Sequence, residues 1–525
     1  MSKMCFCVDI PKVGFGRFEF GDKLNTNAAS ASFADLSVPD FENYINMLTD
    51  NGFSVFENRN FGGNHYYALK RNNDAVYMNY YPTVSEMRIV TEKNSTYINY
   101  QDISQDIRVA TNITQVNLVD YGLSYVVRLF DGRFIIFDGG WDWDYDVDQL
   151  MSVLTTHSVD EKPVIAAWIL THQHCDHFWA FTTFCRKYGE NVVIEKVLFS
   201  FAEASAEFKE KYPGSFLEVT RGAHYDFTVN FLKCIRETGA DVYCPHSGQT
   251  YQIGNAFCEI LSSPDDTCRT PVTDANPLSL MIKMTVEGQT ILWCADGYFA
   301  ESKIAERYGS YLKSDIMQLP HHGFNGGSSK GFDLIDPRVI LAPTFDDDAF
   351  AYINIYDEYN YHLCKEMNVE EFICTKKYND RNRTIEIPYT PDPRGREKLD
   401  NMVKDGQSFC GASVWYFDGL MLDGDRPCYL NIIRSCCPPI DVYVDFIFED
   451  PQNGATAVKV DTSRSALTRF NLNGIDTIKN NPLQYERTCW HKGIIPEGIP
   501  FAIRVYACVP FVASCDDGRE IYRYN

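Results

Sequence analysis

The sequence predicts an α/β protein: a central α/β domain over residues 111–392, a small α+β module ahead of it at 1–110, and a β-rich accessory domain behind it at 393–525. Three observations carry that prediction. From about Gln115, apolar runs of strand length alternate with helical patterns, and polar clusters recur where the runs end. Ahead of that region, one helical pattern is followed by a series of alternating segments. Behind it, the run Thr390-Pro-Asp-Pro-Arg-Gly395 marks a linker, and strands and turns fill the remainder.

Residues 1–25 are rich in Gly and Phe with little period, and Asn25 to Ser37 reads as a small-residue loop. From Pro39 the spacing of Phe41, Tyr44, Ile45 and Leu48 predicts a helix, ended by Asn51-Gly52. Alternation predicts strands at 52–57, 66–70, 75–80 and 86–91, with Asn72-Asn73-Asp74 as a turn. In the central domain, 116–129 and 133–137 read as strands joined by Asp131-Gly132, followed by a helix over 146–157. The apolar strand Val164–Leu170 ends in a polar run and a helix. A strand at 192–200 and helical stretches at 203–212 and 226–238 come next. Strands are expected at 250–253, 256–262, 278–286 and 290–295. Helix, strand and helix recur through 301–312, 314–319 and 329–335, before strands near 338–343 and 371–375. Beyond the linker, 397–404 reads as one helix, and Asp423-Gly424, Asn453-Gly454 and Asn473-Gly474 punctuate the strands.

Composition excludes several classes of function. The chain holds 48 basic and 71 acidic side chains, a formal net charge of −23. Extended nucleic acid is an unsuitable partner, because affinity for it comes from neutralising phosphates with Lys and Arg. A small anionic ligand at one local site is compatible, since a bound metal dominates the charge there. No apolar run approaches the roughly 18 residues of a membrane span. The first residues lack a basic and then apolar leader, so the expected location is cytoplasmic, with no membrane partner. The 18 cysteines are dispersed and read as reduced, small apolar residues. Cys5-x-Cys7 and Cys436-Cys437 are tight pairs, but neither has a second pair at zinc-finger spacing.

The strongest signal is His172-x-His174-x-Asp176-His177, four metal-capable side chains in six residues where an apolar strand meets a helix. A helix cap needs one such residue, not four. His172 and His174 fall on one side of an extended segment, while Asp176 and His177 at the helix start reach a second point nearby. That pattern suits two divalent ions sharing a water. Asp296 follows the apolar run Ile291–Ala295, and His321-His322-Gly323 follows Ile316–Pro320. Five of eleven histidines sit in these two clusters.

Together with Asp138-Gly139-Gly140, these motifs resemble the metallo-β-lactamase superfamily over about residues 114–390. The resemblance implies an αββα sandwich. It implies that Asp138 orients the histidine cluster without touching metal. Asp176, His177, Asp296 and His322 would hold one ion, and His172, His174 and the bridging Asp296 the other. Catalysis would fall to Asp176, Asp296 and His321, the last contacting a substrate oxyanion. The order of Asn276–Leu280, a hairpin, His-His-Gly and Ser328-Ser329 is most similar to one branch of the superfamily. That branch holds the hydrolase domains of DNA-uptake competence proteins and phosphorylcholine-esterase-like phosphodiesterases. His174 stands where the di-iron redox branch has Glu, which implies zinc.

Two departures qualify the pattern. The superfamily's third-motif histidine is missing where this chain has Ser262-Ser-Pro-Asp-Asp266. Either Asp265 or Asp266 replaces it, or the first metal site is weak; a carboxylate there shifts preference toward Mn or Fe. His246 comes too early in strand order. The second departure, Phe178-Trp179-Ala180, either narrows the pocket or fills core. The loop Gly323–Lys330 frees backbone N–H groups for phosphate or carboxylate, with Ser328 or Ser329 as substrate contact or helix cap. Trp141, Trp143 and Tyr145 either wall the pocket or pack. The expected function is a zinc-dependent hydrolase of a phosphoester or phosphodiester. C–N, ester or thioester hydrolysis remains open, as does a metal-binding sensor module with little turnover.

Overall fold

The computed structural model describes residues 6–23, 25, 27–97, 101–102, 106–118, 122–201, 223–267, 275–345, 360, 363–364, 367–375 and 382–392, plus the backbone of eight strands between 413 and 524. These residues fall into two compact units. The first is Met1–Pro343 with Glu366–Thr375 and Asn382–Pro393; the second is Thr344–Lys365, Lys376–Arg381 and Arg394–Asn525.

The first unit opens with β1 (Arg17–Lys23), β2 (Ala28–Ala34), α1 (Val38–Asp50), β3 (Ser54–Phe61), β4 (Asn64–Arg71), β5 (Asp74–Tyr81) and β6 (Glu86–Glu92). The strands form an antiparallel sheet in the order β1-β2-β6-β5-β4-β3. α1 starts at a capping box, in which the Ser37 hydroxyl accepts from the Asp40 N–H and the Asp40 carboxylate accepts from the Ser37 N–H. Its Phe41, Tyr44, Ile45 and Leu48 bury against Phe33, Leu69, Val76 and Ile89 of the sheet. β2 occupies the stretch whose sequence reads as loop, and β1 the Gly- and Phe-rich stretch with little period. Every residue of β2, Ala-Ala-Ser-Ala-Ser-Phe-Ala, is buried, so no polar face exists to produce an alternation.

After the two-residue β7 (Gln101–Asp102), two eight-stranded sheets follow. The first contains β8 (Thr111–Gln115), β9 (Ser124–Arg128), β10 (Phe134–Asp138), β11 (Val164–Leu170), β12 (Val193–Ile194), β13 (Lys196–Phe199) and β14 (Asp241–Tyr243). The second contains β15 (Thr250–Ile253), β16 (Ala256–Ser262), β17 (Met281–Val286), β18 (Gln289–Trp293), β19 (Ile316–Gln318), β20 (Val339–Phe345) and β21 (Glu371–Thr375), and takes in β7. β22 (Arg383–Ile387) returns to the first sheet, antiparallel to β8. The sheets face each other. Trp293 of β18 stacks on Phe137 of β10 with ring centroids 4.2 Å apart, and meets Tyr125 of β9 at 5.3 Å.

The outer face of the first sheet carries α2 (Asp144–His157), α3 (Cys175–Tyr188) and α4 (Ala223–Thr238). Leu150, Phe181, Phe184 and Phe231 of these helices pack on Ile136, Trp168 and Val197. Helix, sheet, sheet and helix make the αββα sandwich. β11, parallel to both β10 and β13, is apolar throughout because it is covered on both faces.

Of the expected strand over 116–129 only β9 (Ser124–Arg128) is found; β8 ends before it at Gln115, and Val116–Leu118 lie outside any strand. The expected helix over 301–312 is broken at Lys303, whose φ is +50°, into Phe299–Ser302, Ile304–Tyr308 and a 3-10 turn at Gly309–Leu312. β22 carries the exposed Arg383, Thr384 and Glu386, which hide it from a hydropathy pattern. The helical stretches at 203–212 and 397–404 lie outside the described residues.

The N-terminal sheet meets the sandwich through buried polar groups. Arg88 of β6 and Arg307 both pair with Asp266, and Arg307 also with Glu86 at 3.1 Å. Asn79 donates to the Ser247 carbonyl at 2.9 Å, and Arg59 to Glu259 at 2.9 Å. In the second unit, β23 (Ser413–Leu420), β24 (Tyr429–Arg434), β25 (Asp441–Phe448), β26 (Thr456–Asp461), β27 (Leu467–Asn471), β28 (Phe501–Ala507), β29 (Phe511–Cys515) and β30 (Tyr522–Tyr524) form antiparallel sheets ordered β26-β25-β28-β23-β30 and β27-β24-β29. Among the described residues, no helix is long and apolar enough to cross a membrane.

Candidate metal centre

Three strand ends supply the side chains. β11 runs into Thr171 and His172, β18 into Asp296, and β19 into His321 and His322. Between His172 and His177 the backbone turns from strand to helix. His174 is the N-cap of α3, extended at φ −97° and ψ 152°, and its carbonyl accepts from the N–H groups of His177 and Phe178. Asp176 and His177 therefore lie in the first turn, where the helix dipole favours a carboxylate.

Asp138, at the end of β10 and fully buried, anchors this turn. Its Oδ1 accepts from the Thr171 N–H at 2.7 Å, and its Oδ2 accepts from the Thr171 hydroxyl and faces His177 Nδ1, both at 2.7 Å. Gly139 N–H donates to the His177 carbonyl at 2.8 Å, tying the Asp-Gly-Gly loop to α3. A Cβ on Gly139 would press on Ala180 at 3.1 Å, which accounts for a glycine there.

Two groups of ligand atoms result: Asp176, His177, Asp296 and His322 in one, and His172, His174 and Asp296 in the other, all within 4.8 Å of each other in each group. In the first group the protons are accounted for by the outer ring nitrogens. His322 Nδ1 faces the Pro343 carbonyl at 3.1 Å, which can only accept, so Nδ1 carries hydrogen. His177 Nδ1 faces the Asp138 carboxylate in the same way. Both Nε2 atoms of the neutral rings are then lone pairs, yet they point at each other across 3.3 Å. Asp296 Oδ2 stands 3.2 Å from one and 3.4 Å from the other, and Asp176 Oδ2 3.1 Å from His322 Nε2. With both rings neutral, acceptors converge on one point. A metal ion or a shared proton reconciles them, and two ligands of one tetrahedral zinc stand roughly 3.3–3.8 Å apart.

Without a metal, a proton fills that place. Burial opposes charge on His322, but Asp296 and Asp176 hold its pKa up to about 9. Burial likewise opposes charge on His177, and Asp296, Asp176 and Asp138 push its pKa well above the ordinary value. Asp176 is held below its usual range despite burial, by His177 and His322. His172 behaves oppositely: burial, His177 and His174 drive its pKa well down, leaving a neutral ring. Its Nδ1 is 3.1 Å from the Thr171 hydroxyl, and its buried Nε2 has no hydrogen-bond partner and stands 3.8 Å from Asp296 Oδ2. Asp296 Oδ1 is also buried without a partner. The orphaned His172 Nε2, grouped with His174 and Asp296, fits a divalent ion held at this second group.

His321 sits at the rim. Its Nδ1 is 2.7 Å from Asn325 Oδ1, and its Nε2 takes the Asn276 amide at 3.0 Å and lies 3.9 Å from Asp296 Oδ2. Asn276 enters the sequence reading only as the start of Asn276–Leu280 and Asn325 not at all, because amides carry no motif of their own. The backbone here is unusual. Asp138, Ala295, His321 and His322 have φ of +54°, +48°, +49° and +52°, so the loops after β10, β18 and β19 each hold a left-handed residue, while the turn at Thr171–His177 holds none.

Other expected residues lie differently. Asp265 faces His246 Nδ1 at 3.0 Å and accepts from the Ser263 hydroxyl at 2.8 Å. Asp266 is engaged by Arg88, Arg307 and Ser247. Neither belongs to the His172, His174 and Asp296 group, which has three protein ligands among the described residues. Ser328 is the N-cap of α5 (Ser329–Ile335), and its hydroxyl accepts from the Gly331 N–H at 3.1 Å. Phe178 and Ala180 are core residues, Phe178 meeting Phe201 and Phe231. Trp141 is buried, stacks on the partly exposed Trp143 and meets Trp179 edge-on.

Residues 118–243 match the family described as metallo-beta-lactamase superfamily. No curated protein matches the chain. Among solved structures, the metallo-beta-lactamase fold protein YhfI from Bacillus subtilis is 12% identical, over 44% of this chain and 85% of that one, with a TM-score of 0.28. CmlA, a diiron beta-hydroxylase from Streptomyces venezuelae, is 12% identical over 53% and 55%, with a TM-score of 0.33. The short form of human tRNase Z is 12% identical over 44% and 90%, with a TM-score of 0.26. Within the sandwich built around His172–His177, residues 118–243 are therefore similar to the metallo-beta-lactamase superfamily.

Proposed function

We propose that the protein is a metal-dependent hydrolase of a phosphoester or phosphodiester, with zinc as the metal. The carrying observation is the pair of facing Nε2 lone pairs of His177 and His322 beside Asp176 and Asp296. Asp176, His177, Asp296 and His322 would hold one ion, and His172, His174 and Asp296 the other. When bound, such ions polarise the phosphoryl group and bring the pKa of water to about 7. Two divalent cations against two coordinating carboxylates leave a positive centre in a chain of net charge −23, which favours an anionic substrate at this one place.

The chain's own residues do the rest. Asp138 keeps His177 turned inward and its Nδ1 protonated. Asp296 Oδ1, which has no other partner, accepts a hydrogen bond from the attacking water and orients it. His321, at the rim 3.9 Å from Asp296 Oδ2, contacts the phosphoryl oxygen on which charge develops.

Purified protein with measured metal content, assayed on bis(p-nitrophenyl) phosphate, p-nitrophenyl phosphate, p-nitrophenyl acetate and a β-lactam, tests this. Phosphoester turnover that chelator abolishes and zinc restores is expected, with His174→Ala inactive and folded. Turnover confined to the carboxylic ester or the lactam would overturn the substrate class. Wild-type turnover by His174→Ala would overturn the site.

A further inference from the structure

We infer that the protein has a second, separate metal site, a mononuclear zinc site formed by Glu92, Cys244 and His246 where the N-terminal sheet meets the sandwich. Glu92 ends β6, while Cys244 and His246 follow β14, so the three ligands come from both sides of the junction. Their ligand atoms lie within 4.8 Å of one another. His246 is fully buried, and its Nε2 has no hydrogen-bond partner although it is aimed at this cluster. Glu92 Oε1 is 3.7 Å from it, too far for a hydrogen bond yet within the roughly 3.3–3.8 Å between two ligands of one tetrahedral zinc.

The surroundings are those of a prepared ligand set. His246 Nδ1 is held by Asp265, at 3.0 and 3.1 Å from its two oxygens, which fixes the ring and the tautomer that leaves Nε2 as a lone pair. Glu92 is steadied by the Tyr77 hydroxyl at 3.0 Å, and the Tyr77 ring lies 5.1 Å from the His246 ring. Cys244 Sγ is 3.6 Å from the Ser200 hydroxyl, which can donate to a thiolate. Zinc binding would break the S–H bond and release its proton to solvent, and a thiolate with a carboxylate neutralises the ion's two charges. Soft sulfur with imidazole and carboxylate selects zinc over magnesium or calcium. With three protein ligands and Glu92 partly exposed, the fourth position goes to water. The competing arrangement is a metal-free imidazolium between Asp265 and Glu92, which would draw Nε2 into hydrogen-bond range of Glu92.

Cobalt substitution of the full chain separates the two arrangements. The dinuclear centre contains no cysteine, so a sulfur-to-cobalt charge-transfer band in the near ultraviolet reports the Cys244 site alone. That band is expected in wild type and in His174→Ala, and is expected to vanish in the near-isosteric Cys244→Ser, which should also carry one zinc fewer per chain. Asp265→Asn, which keeps the shape but weakens the hold on His246, should bind zinc about 10–100-fold more weakly at this site. Absence of the band from the wild type, or its survival in Cys244→Ser, overturns the inference. Either result is independent of whether the dinuclear centre hydrolyses anything.

Discussion

Replacing Asp266 with Ala removes the shared counter-ion of two buried guanidinium groups. Asp266 and Arg88 are each 1% exposed and Arg307 is 2% exposed. Without the carboxylate, Arg307 keeps Glu86 at 3.1 Å and the Ser302 carbonyl at 2.9 Å. Arg88 keeps the Ser247 carbonyl at 3.0 Å and only the charge of Asp265, which pairs with His246, in place of Asp266. Breaking a buried pair from one side costs about 3–5 kcal/mol, because the remaining charge is desolvated without compensation. Arg88 alone meets that description, so the loss should fall toward the lower end. Asp266→Asn keeps the hydrogen bonds from the Ser247 hydroxyl and the Ser263 N–H and should be milder. Urea unfolding followed by near-ultraviolet circular dichroism measures both, and metal content of the folded protein should not change. A loss below about 1 kcal/mol would refute the counter-ion argument. Metal lost without loss of stability would place Asp266 at the metal centre instead.

Three further outcomes are expected. Asp138→Ala should weaken the Asp176, His177, Asp296 and His322 site by about 10–100-fold, read by competition with a chromophoric chelator, since His177 and Thr171 lose their common anchor. Gly248→Ala should destabilise by about 2 kcal/mol or more in urea, because its φ is +94° and a Cβ would overlap the buried Tyr66 ring and Asn79. Glu57 is raised above its ordinary pKa by burial, against the pull of Tyr97 and Arg59. A raised folded value gives stability that is present below the unfolded pKa and lost as pH rises through the folded one. Glu57→Gln should therefore be increasingly favoured over wild type between pH 4 and 7, and equal unfolding midpoints across that range would contradict it.

The candidate metal-ligating cluster was visible in the sequence because its residues are chemically dense and sit at ends of strongly apolar strands. His172 to His177 and His321-His322 stand out against a chain with few histidines, and β11 matches its apolar run residue for residue. What sequence could not supply was which partner a buried carboxylate takes. Asp265 and Asp266 occupy the expected strand end, yet their partners His246, Arg88 and Arg307 come from segments distant in sequence. The same tertiary dependence hid β2, whose small residues are covered on both faces, and β22, a polar edge strand recognisable only from its pairing with β8.

The left-handed residues around the centre set different limits on laboratory evolution at neighbouring positions. A non-glycine residue in that conformation carries about 1–2 kcal/mol of steric cost, more than the roughly 0.5–1 kcal/mol of chain entropy that glycine adds. Ala295 lends the centre no side-chain donor, only the bend that presents Asp296, so glycine there would relieve the backbone and leave the ligands in place. At His322 the same relief deletes an imidazole. A population selected for heat resistance alone could take glycine at Ala295 and keep every ligand, whereas at His322 glycine also opens a buried cavity beside Asp176 and Asp296, so screens on this fold have to read turnover and melting together.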